Sequence, residues 1–478
     1  MTWVGAALGF HENRGLQQVA RRPFARLVTW AAASGLLLLH GVTLLGPLAI
    51  GLIFVWPERR RLILSVAAVG MILDRYLVRQ ELDLSASSLA AAVAAPGPWL
   101  KVLAATCAIV LGLYLIFLFA KNLHRAPAPV RQHPYLMLHS GVFSLFGLIY
   151  LFPPLAALAE IVPWLLWRVC FLIQFATRGR MAATKFSDHL FYLWPMVGTH
   201  GSPYGKGLAY LSSREAEDDE AFAASRLAGL KLLLLATLWE FVLRAFDMLV
   251  YGSPKTRPLA DLGFNLGLPT LEQAIASGDT GIVMAWISIF VELIRIVLYY
   301  AVTGHVIVGF LRVCGFNIFR NTYKPLLSES IIEYWGRFNY YFKELMVEFF
   351  FYPTFLAARR LNTHLRLLLA VFAAAFLGNM YYHVLGVPEP VAAGDFQAVW
   401  AIWGPRLVYC LLLTLGIWVS MLRQQTARQK STEKSTLARL RSICGVWVFY
   451  AVIHIWNLYG EDLTWANRAE FSLKLIGF

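Results

Sequence analysis

Charge is what this chain has least of, and it is missing over long stretches. Only 15% of its 478 residues are Asp, Glu, Lys or Arg. Residues 102–120 contain none, residues 367–387 hold His383 as their one histidine, and residues 31–56 hold only His40. A soluble helix or strand interrupts its apolar residues at a period near 3.6 or 2, which leaves one face wet. These runs are not interrupted, and that excludes a soluble globule. Cysteine is scarce as well. Cys107, Cys170, Cys314, Cys410 and Cys444 stand singly, with no CxxC pair and no Cys/His spacing of the metal-binding kind. This speaks against a disulfide framework and a zinc site, and it leaves small buried hydrophobes. There is no internal repeat, which counts against the paired halves of a transporter. A cleavable signal peptide is not expected, because residues 31–56 are too long for its apolar core and lack a cleavage site.

What is present is apolar. Hydrophobic residues make up 58% of the chain, and its mean hydropathy is +0.59. About 20 apolar residues cross a bilayer as a helix. The sequence therefore predicts an all-α, polytopic membrane protein, with roughly ten to eleven membrane helices around a central cavity. The expected segments are 31–56, kinked at Gly46-Pro47; 62–73, a half-span or one continuing past Asp74; 102–120; 135–159, broken at Pro153-Pro154; and 161–175, with Arg168. They continue as 232–250, 282–313 (one long span or two short ones), 367–387, 398–422 and 443–458. Residues 1–26 read as a basic, amphipathic segment on the cytoplasmic surface, and residues 27–478 as one membrane-embedded unit. The polar stretch 178–228, with its glycine-rich run from Gly201 to Gly207 and its acidic run from Glu215 to Glu220, reads as a surface loop with a short helix.

The net charge of +14 would suggest nucleic acid in a soluble protein. Here the cations stand at helix ends, and no contiguous basic face is evident, so nucleic acid is excluded as a partner. Residues 423–442 carry Arg423, Arg428, Lys430, Lys434, Arg439 and Arg441 against one Glu433, which places that loop in the cytoplasm by the positive-inside rule. Residues 388–397 have Glu389 and Asp395 and no cation, so they fall outside. The 367–387 span then runs outward, with His383 near its outer end. An Ala-, Leu- and Arg-rich composition fits a bacterial inner membrane.

Polar groups in membrane segments are costly and therefore informative. His383 is one such group, in Asn379-Met-Tyr-Tyr-His383. An imidazole there is either a hydrogen-bonded structural residue or a base able to take a proton near neutral pH. A second group begins at Ser330, which with Glu333 has the spacing of a capping box. A helix from that point puts Trp335, Asn339 and Phe342 on one face and pairs Glu333 with Arg337. It reads either as an interfacial amphipathic helix or as the wall of a polar cavity. Glu240, Arg244, Asp247, Glu292 and Arg295 are expected to pair with one another inside the bundle.

The stretch from Gly315-Phe316 through Tyr334-Trp335-Gly336-Arg337-Phe338-Asn339 to Phe351-Tyr352-Pro353 resembles the signature region of the membrane-bound O-acyltransferase family. The bacterial branch of that family, which acylates alginate, peptidoglycan or teichoic acid, has a Gly-Phe pair, an aromatic and arginine-rich run ending in Trp-His, and a later aromatic-proline run. Its hallmark histidine follows in the next long apolar span, where His383 stands here. The likeness is close over residues 313–387. Asn339 replaces the branch's first histidine, as Asn or Asp does in members that acylate sterols, diacylglycerols or proteins. Gly336 replaces an Arg, and Tyr382-His383-Val384 stands where Trp-His-Gly is common.

The resemblance implies His383 and Asn339 as catalytic residues, with Trp335, Arg337 and Tyr382 binding substrate. It implies no bound cofactor and no metal. The donor is acyl-CoA or another acyl thioester, including one on an acyl carrier or accessory protein. The acceptor is a hydroxyl of a polysaccharide, lipid, small molecule or protein, and the lipid bilayer is the remaining partner. The competing readings are a transporter or flippase, and a membrane scaffold without catalysis.

Overall fold

The chain was described from a computed structural model, which covers residues 9–73, 96–152, 157–193, 198, 201–252, 266–386, 389–428, 435–460 and 463–478. The described residues are mostly helical, with no strand and only two isolated β-bridges among them. Among them, six helices are long and apolar enough to cross a membrane: Val102–Lys121, Pro134–Leu151, Ile282–Val313, Thr363–Gly386, Phe396–Gln424 and Thr436–His454. Their outward faces are apolar. On the first of them Leu103, Leu111, Leu115 and Phe119 are all exposed, a surface suited to lipid tails and not to water. The protein is an all-α, multi-pass membrane protein.

The six are fewer than the roughly ten to eleven segments that hydropathy alone offers, and the reasons are local. Residues 31–56 do not form one kinked span. They form two helices, Pro23–Leu39 and Leu45–Val55, separated by a turn in which Gly41 has φ +71°. The two lie against each other, with the Trp30 indole N–H donating to Pro47 O at 2.8 Å. Pro47 itself sits in the first turn of its helix, where a missing N–H costs nothing. At about 1.5 Å per residue, the 11-residue Leu45–Val55 helix reaches only about 16 Å. Residues 232–250 lie in one long helix, Asp219–Tyr251, with three charged side chains in that stretch. The Arg60–Ile72 helix is followed by Asp74, which lies outside the described residues, as do Pro153 and Pro154.

The chain divides into two compact units. The first comprises residues 1–148, 160–234 and 306–319. Its polar stretch is not the surface loop expected from composition. Ser202 and Tyr204 are buried, and so are Leu208 and Leu211 of the short helix that follows. Gly205 and Gly207 have φ +84° and +79°, and a Cβ on either would collide with Leu211 or Phe171. Glycine is needed there for conformation and for close approach. The acidic run is engaged as well. Glu215 takes Arg60 and Arg61, while Asp219 and Glu220 take Arg26 and Arg21 of the N-terminal segment. Arg168 is fully buried and donates to the carbonyls of Tyr192 and Trp164.

The second unit comprises residues 149–159, 235–305 and 320–478. Its core is rich in tyrosine. Tyr334 stacks on Tyr450 with ring centroids 3.8 Å apart, and the Tyr450 hydroxyl donates to Ile331 O at 2.8 Å. The expected pairing of charges is present: Arg244 with Glu240, and Arg295 with both Asp247 (3.1 Å) and Glu292 (3.3 Å). Residues 313–387, the stretch of closest family likeness, are shared between the two units, with the division at Phe319 and Arg320.

Candidate functional site

The helix expected from Ser330 onward begins as predicted. Ser330 Oγ accepts from Glu333 N at 3.2 Å. The Glu333 carboxylate reaches back one residue further than a capping box requires and accepts from Glu329 N at 2.7 Å. It also pairs with Arg337 at 2.6 Å, so Arg337 is committed to its own helix. The helix then stops. Ile331–Phe338 and Tyr340–Met346 are separated by Asn339, whose φ of −140° and ψ of 76° lie far from helical values.

The preceding loop makes that break. Thr322 Oγ1 donates to Phe338 O at 2.8 Å, Tyr340 N donates to Asn321 O at 2.9 Å, and Tyr341 N donates to Asn321 Oδ1 at 3.2 Å. Each of these groups belongs to the turn that a continuous helix would bond internally, so the loop supplies the lost partners. The one-face spacing of Trp335, Asn339 and Phe342 does not hold as a regular helix, although the Trp335 and Phe342 rings still meet at 5.6 Å. Asn339 Oδ1 is buried with no donor.

His383 lies on Asn379–Gly386, the last part of a span whose middle is a π-helix, Phe372–Gly378. A second π segment, Val347–Phe351, packs against it. Such turns insert an extra residue and turn the following side chains about the axis, and they are frequent at functional sites. Gly378 allows the approach, since a Cβ there would stand 2.8 Å from the Phe350 ring. His383 is half-buried and has no hydrogen-bond partner among the described residues. One turn before it, Asn379 is 1% exposed, and its Nδ2 has no acceptor.

A chain of rings joins the two motif regions. Tyr382 touches His383 at 6.0 Å and Phe342 at 4.6 Å, and Phe342 touches Trp335. His383, Tyr382 and Trp335 are thus linked, and Asn339 lies at the break between the helices that bear Trp335 and Phe342. No hydrogen bond joins Asn339 to His383 among the described residues. Trp335 also lines a cavity of about 330 Å³ with Phe351, Val371, Ala375 and Ile417, and the paired Lys343 and Glu344 line it too. Neither Asn339 nor His383 lines it. Among the described residues no three His, Cys, Asp or Glu side chains are grouped so as to hold a metal.

Sequence reasoning passed over two residues near His383. Asn379 was read only as part of the segment around it. Arg406, inside the Phe396–Arg428 helix, was not singled out, although an arginine in an apolar span is itself a signal. Arg406 is 9% exposed and acts electrostatically on His383. No family model and no curated protein matches the chain.

Proposed function

We propose that the chain is a membrane-embedded O-acyltransferase, which moves an acyl group from a thioester to a hydroxyl, with His383 as general base. One observation carries this reading: His383 is a half-buried imidazole in an apolar span, left without a hydrogen-bond partner among the described residues. A structural histidine in that position would have its ring nitrogens bonded, because an unpaired polar group in a membrane interior is costly.

The chemistry follows from a free imidazole. A ring nitrogen takes the proton of the acceptor hydroxyl, and the oxygen attacks the thioester carbonyl. The C–S bond breaks, the ester forms, and the proton passes to the leaving thiolate. Asn339 accepts from the acceptor hydroxyl through its unengaged amide oxygen, or donates from its amide nitrogen to the donor carbonyl or the developing oxyanion. The apolar cavity beside Trp335 has the lining to hold an acyl chain. Tyr382 packs its ring between those of the base and Phe342, and Arg337 keeps the motif helix in register through Glu333. By the positive-inside rule His383 lies about five residues, or roughly 7 Å, below the outer boundary. An exported acceptor meets it from outside, and the thioester donor comes from the basic cytoplasmic side.

The test uses membranes containing the full chain, radiolabelled acyl-CoA and a hydroxyl acceptor fraction from the cell envelope. His383→Ala should lower transfer by about 10²-fold or more. A folded His383→Ala protein with full transfer activity would overturn the reading. Cysteine labelling that places Asp395 in the cytoplasm would reverse the sidedness and favour an intracellular lipid acceptor.

A further inference from the structure

Beside His383, the second unit buries two cations that form no ion pair among the described residues. Arg406 is 9% exposed, has no hydrogen bond or ion pair among the described residues, and has its Nε enclosed without an acceptor. Arg468, on the Trp465–Lys474 helix, is 2% exposed. It donates to the carbonyls of Ile455 and Leu458, and its Nε has no acceptor. Arg406 acts electrostatically on both Arg468 and His383. Among the described residues the carboxylate that acts on Arg468 is that of Glu272, held against the backbone at Gly460. Burial together with the neighbouring charge of Arg406 pulls Arg468 down to about 10, which leaves it charged at neutral pH.

The unsatisfied groups here are mostly of one kind. Besides the two arginine Nε atoms, the Asn379 amide nitrogen and the indole nitrogens of Trp403 and Trp465 are buried donors with no acceptor. They stand in pairs about one turn apart on three helices: Asn379 with His383, Trp403 with Arg406, and Trp465 with Arg468. The helices carrying the first two pairs pack together. The third is brought in at Gly404, where a Cβ would stand 2.8 Å from the Trp465 ring. Trp465 also stacks on Trp400 at 5.7 Å.

A buried, unpaired guanidinium is among the most costly features a membrane protein can hold. Surplus buried N–H donors add to that cost. Both penalties vanish if an oxyanion enters, since guanidinium and indole donors are matched to carboxylate and phosphate oxygens. We infer that Arg406 and Arg468 form a binding site, next to His383, for an anionic oxygen group of the acceptor, a carboxylate or a phosphate. This assignment of the ligand to the acceptor rests on the acyltransfer reading and on its sidedness; the affinity for an oxyanion does not.

The full chain in nanodiscs would be titrated with three probes: methyl glucuronide, glycerol 1-phosphate and uncharged methyl glucoside. At least one anionic probe should bind about tenfold or more tightly than the neutral one, the value of a single charge-assisted hydrogen bond. Which of the two anions binds distinguishes carboxylate from phosphate. Arg406→Gln should abolish the preference, and Arg406→Lys should keep part of it. His383→Ala should leave the preference intact while removing acyl transfer, so the two readings fail separately. Equal binding of charged and neutral probes to the unmutated chain, or an undiminished preference in Arg406→Gln, would overturn the site. If Arg406→Gln does not assemble, the probe comparison on the unmutated chain and on Arg406→Lys decides.

Discussion

The two units bury polar side chains in different ways. In the first, buried cations have partners within the unit. Arg168 is held by two carbonyls, and Arg60 faces Glu215 and packs over the Phe222 ring. Arg226, 1% exposed, donates to Ala20 O and lies over the rings of Phe54 and Phe222, whose faces stand in for missing acceptors. In the second, the polar groups around the candidate site are open: Asn339 Oδ1, Asn379 Nδ2, Arg406 Nε and the indole nitrogens of Trp403 and Trp465. Buried polar groups in a finished core are almost always satisfied. The first unit also leaves Ser34 Oγ, Thr43 Oγ1 and Tyr192 Oη without partners, so the difference lies in the guanidiniums: those of Arg60, Arg168 and Arg226 rest on carbonyls, a carboxylate or rings, and that of Arg406 has none of these among the described residues.

The largest expected effect tests that difference at its sharpest point. His383→Ala should cost about 10² to 10⁴ in acyl transfer. It should leave the apparent melting temperature in detergent nearly unchanged, because no hydrogen bond is lost. The reverse pattern belongs to the first unit. Glu215→Gln leaves Arg60 without its carboxylate and Arg61 with only that of Asp188, at 4.0 Å, in a half-closed site, and breaking such a pair costs about 3–5 kcal/mol when it is buried. Glu215 is still 19% exposed, so about 3 kcal/mol is the better expectation. The readout is the recovery of monodisperse protein after solubilisation. A Glu215→Gln chain as stable as the parent would dissolve the distinction between the two units.

Asn339→Ala comes next, at about tenfold to a hundredfold in acyl transfer with no loss of stability. The amide oxygen makes no bond to lose, and the break in the helix is held by Asn321 and Thr322. Thr322→Val should mimic the activity loss in weaker form, since it loosens the break without touching the amide. A stability loss in Asn339→Ala larger than that in Thr322→Val would show Asn339 to be a structural residue.

How much of this was legible in the sequence follows physical range. At 282–313 hydropathy fits one long span or two short ones, and the protein forms one helix. Long apolar runs read correctly as helices at 102–120, 282–313 and 398–422, because hydropathy is local. So did the cap at Ser330 and the pairs Glu333–Arg337, Glu240–Arg244 and Glu292–Arg295, which depend on spacing within one turn. The break at Asn339 was not legible, because donors and acceptors from the 321–322 loop impose it from outside the helix. The burial of residues 201–207 was hidden for a similar reason. A Gly-, Ser- and Pro-containing run looks like a surface loop unless the packing of Leu211 and Phe171 against Gly205 and Gly207 is known. The division of residues 31–56 into two helices turns on a positive φ at Gly41. Arg406 was visible in the sequence, but its meaning was not: only its lack of a partner separates it from Arg295.

The smallest effect concerns pH and belongs to the first unit. His189 is 2% exposed, between the rings of Phe117 and Phe175, with its Nε2 hydrogen-bonded to Thr184 Oγ1 at 3.0 Å. Burial takes its pKa from 6.5 down to about 4, against the pull of Asp188 and with a small push from Arg61. The unfolded chain therefore binds a proton between those values that the folded chain refuses. Stability from this residue is complete above about pH 6.5 and falls as the pH drops toward 4, by about 1.4 kcal/mol at pH 5.5. His189→Gln, which keeps a hydrogen-bonding group toward Thr184, should flatten the dependence of melting temperature on pH over that window and leave the neutral-pH value close to the parent's. If the slope between pH 6.5 and 5 is the same in both proteins, His189 is not the group that titrates, and the first unit does not exclude charge as completely as its geometry indicates.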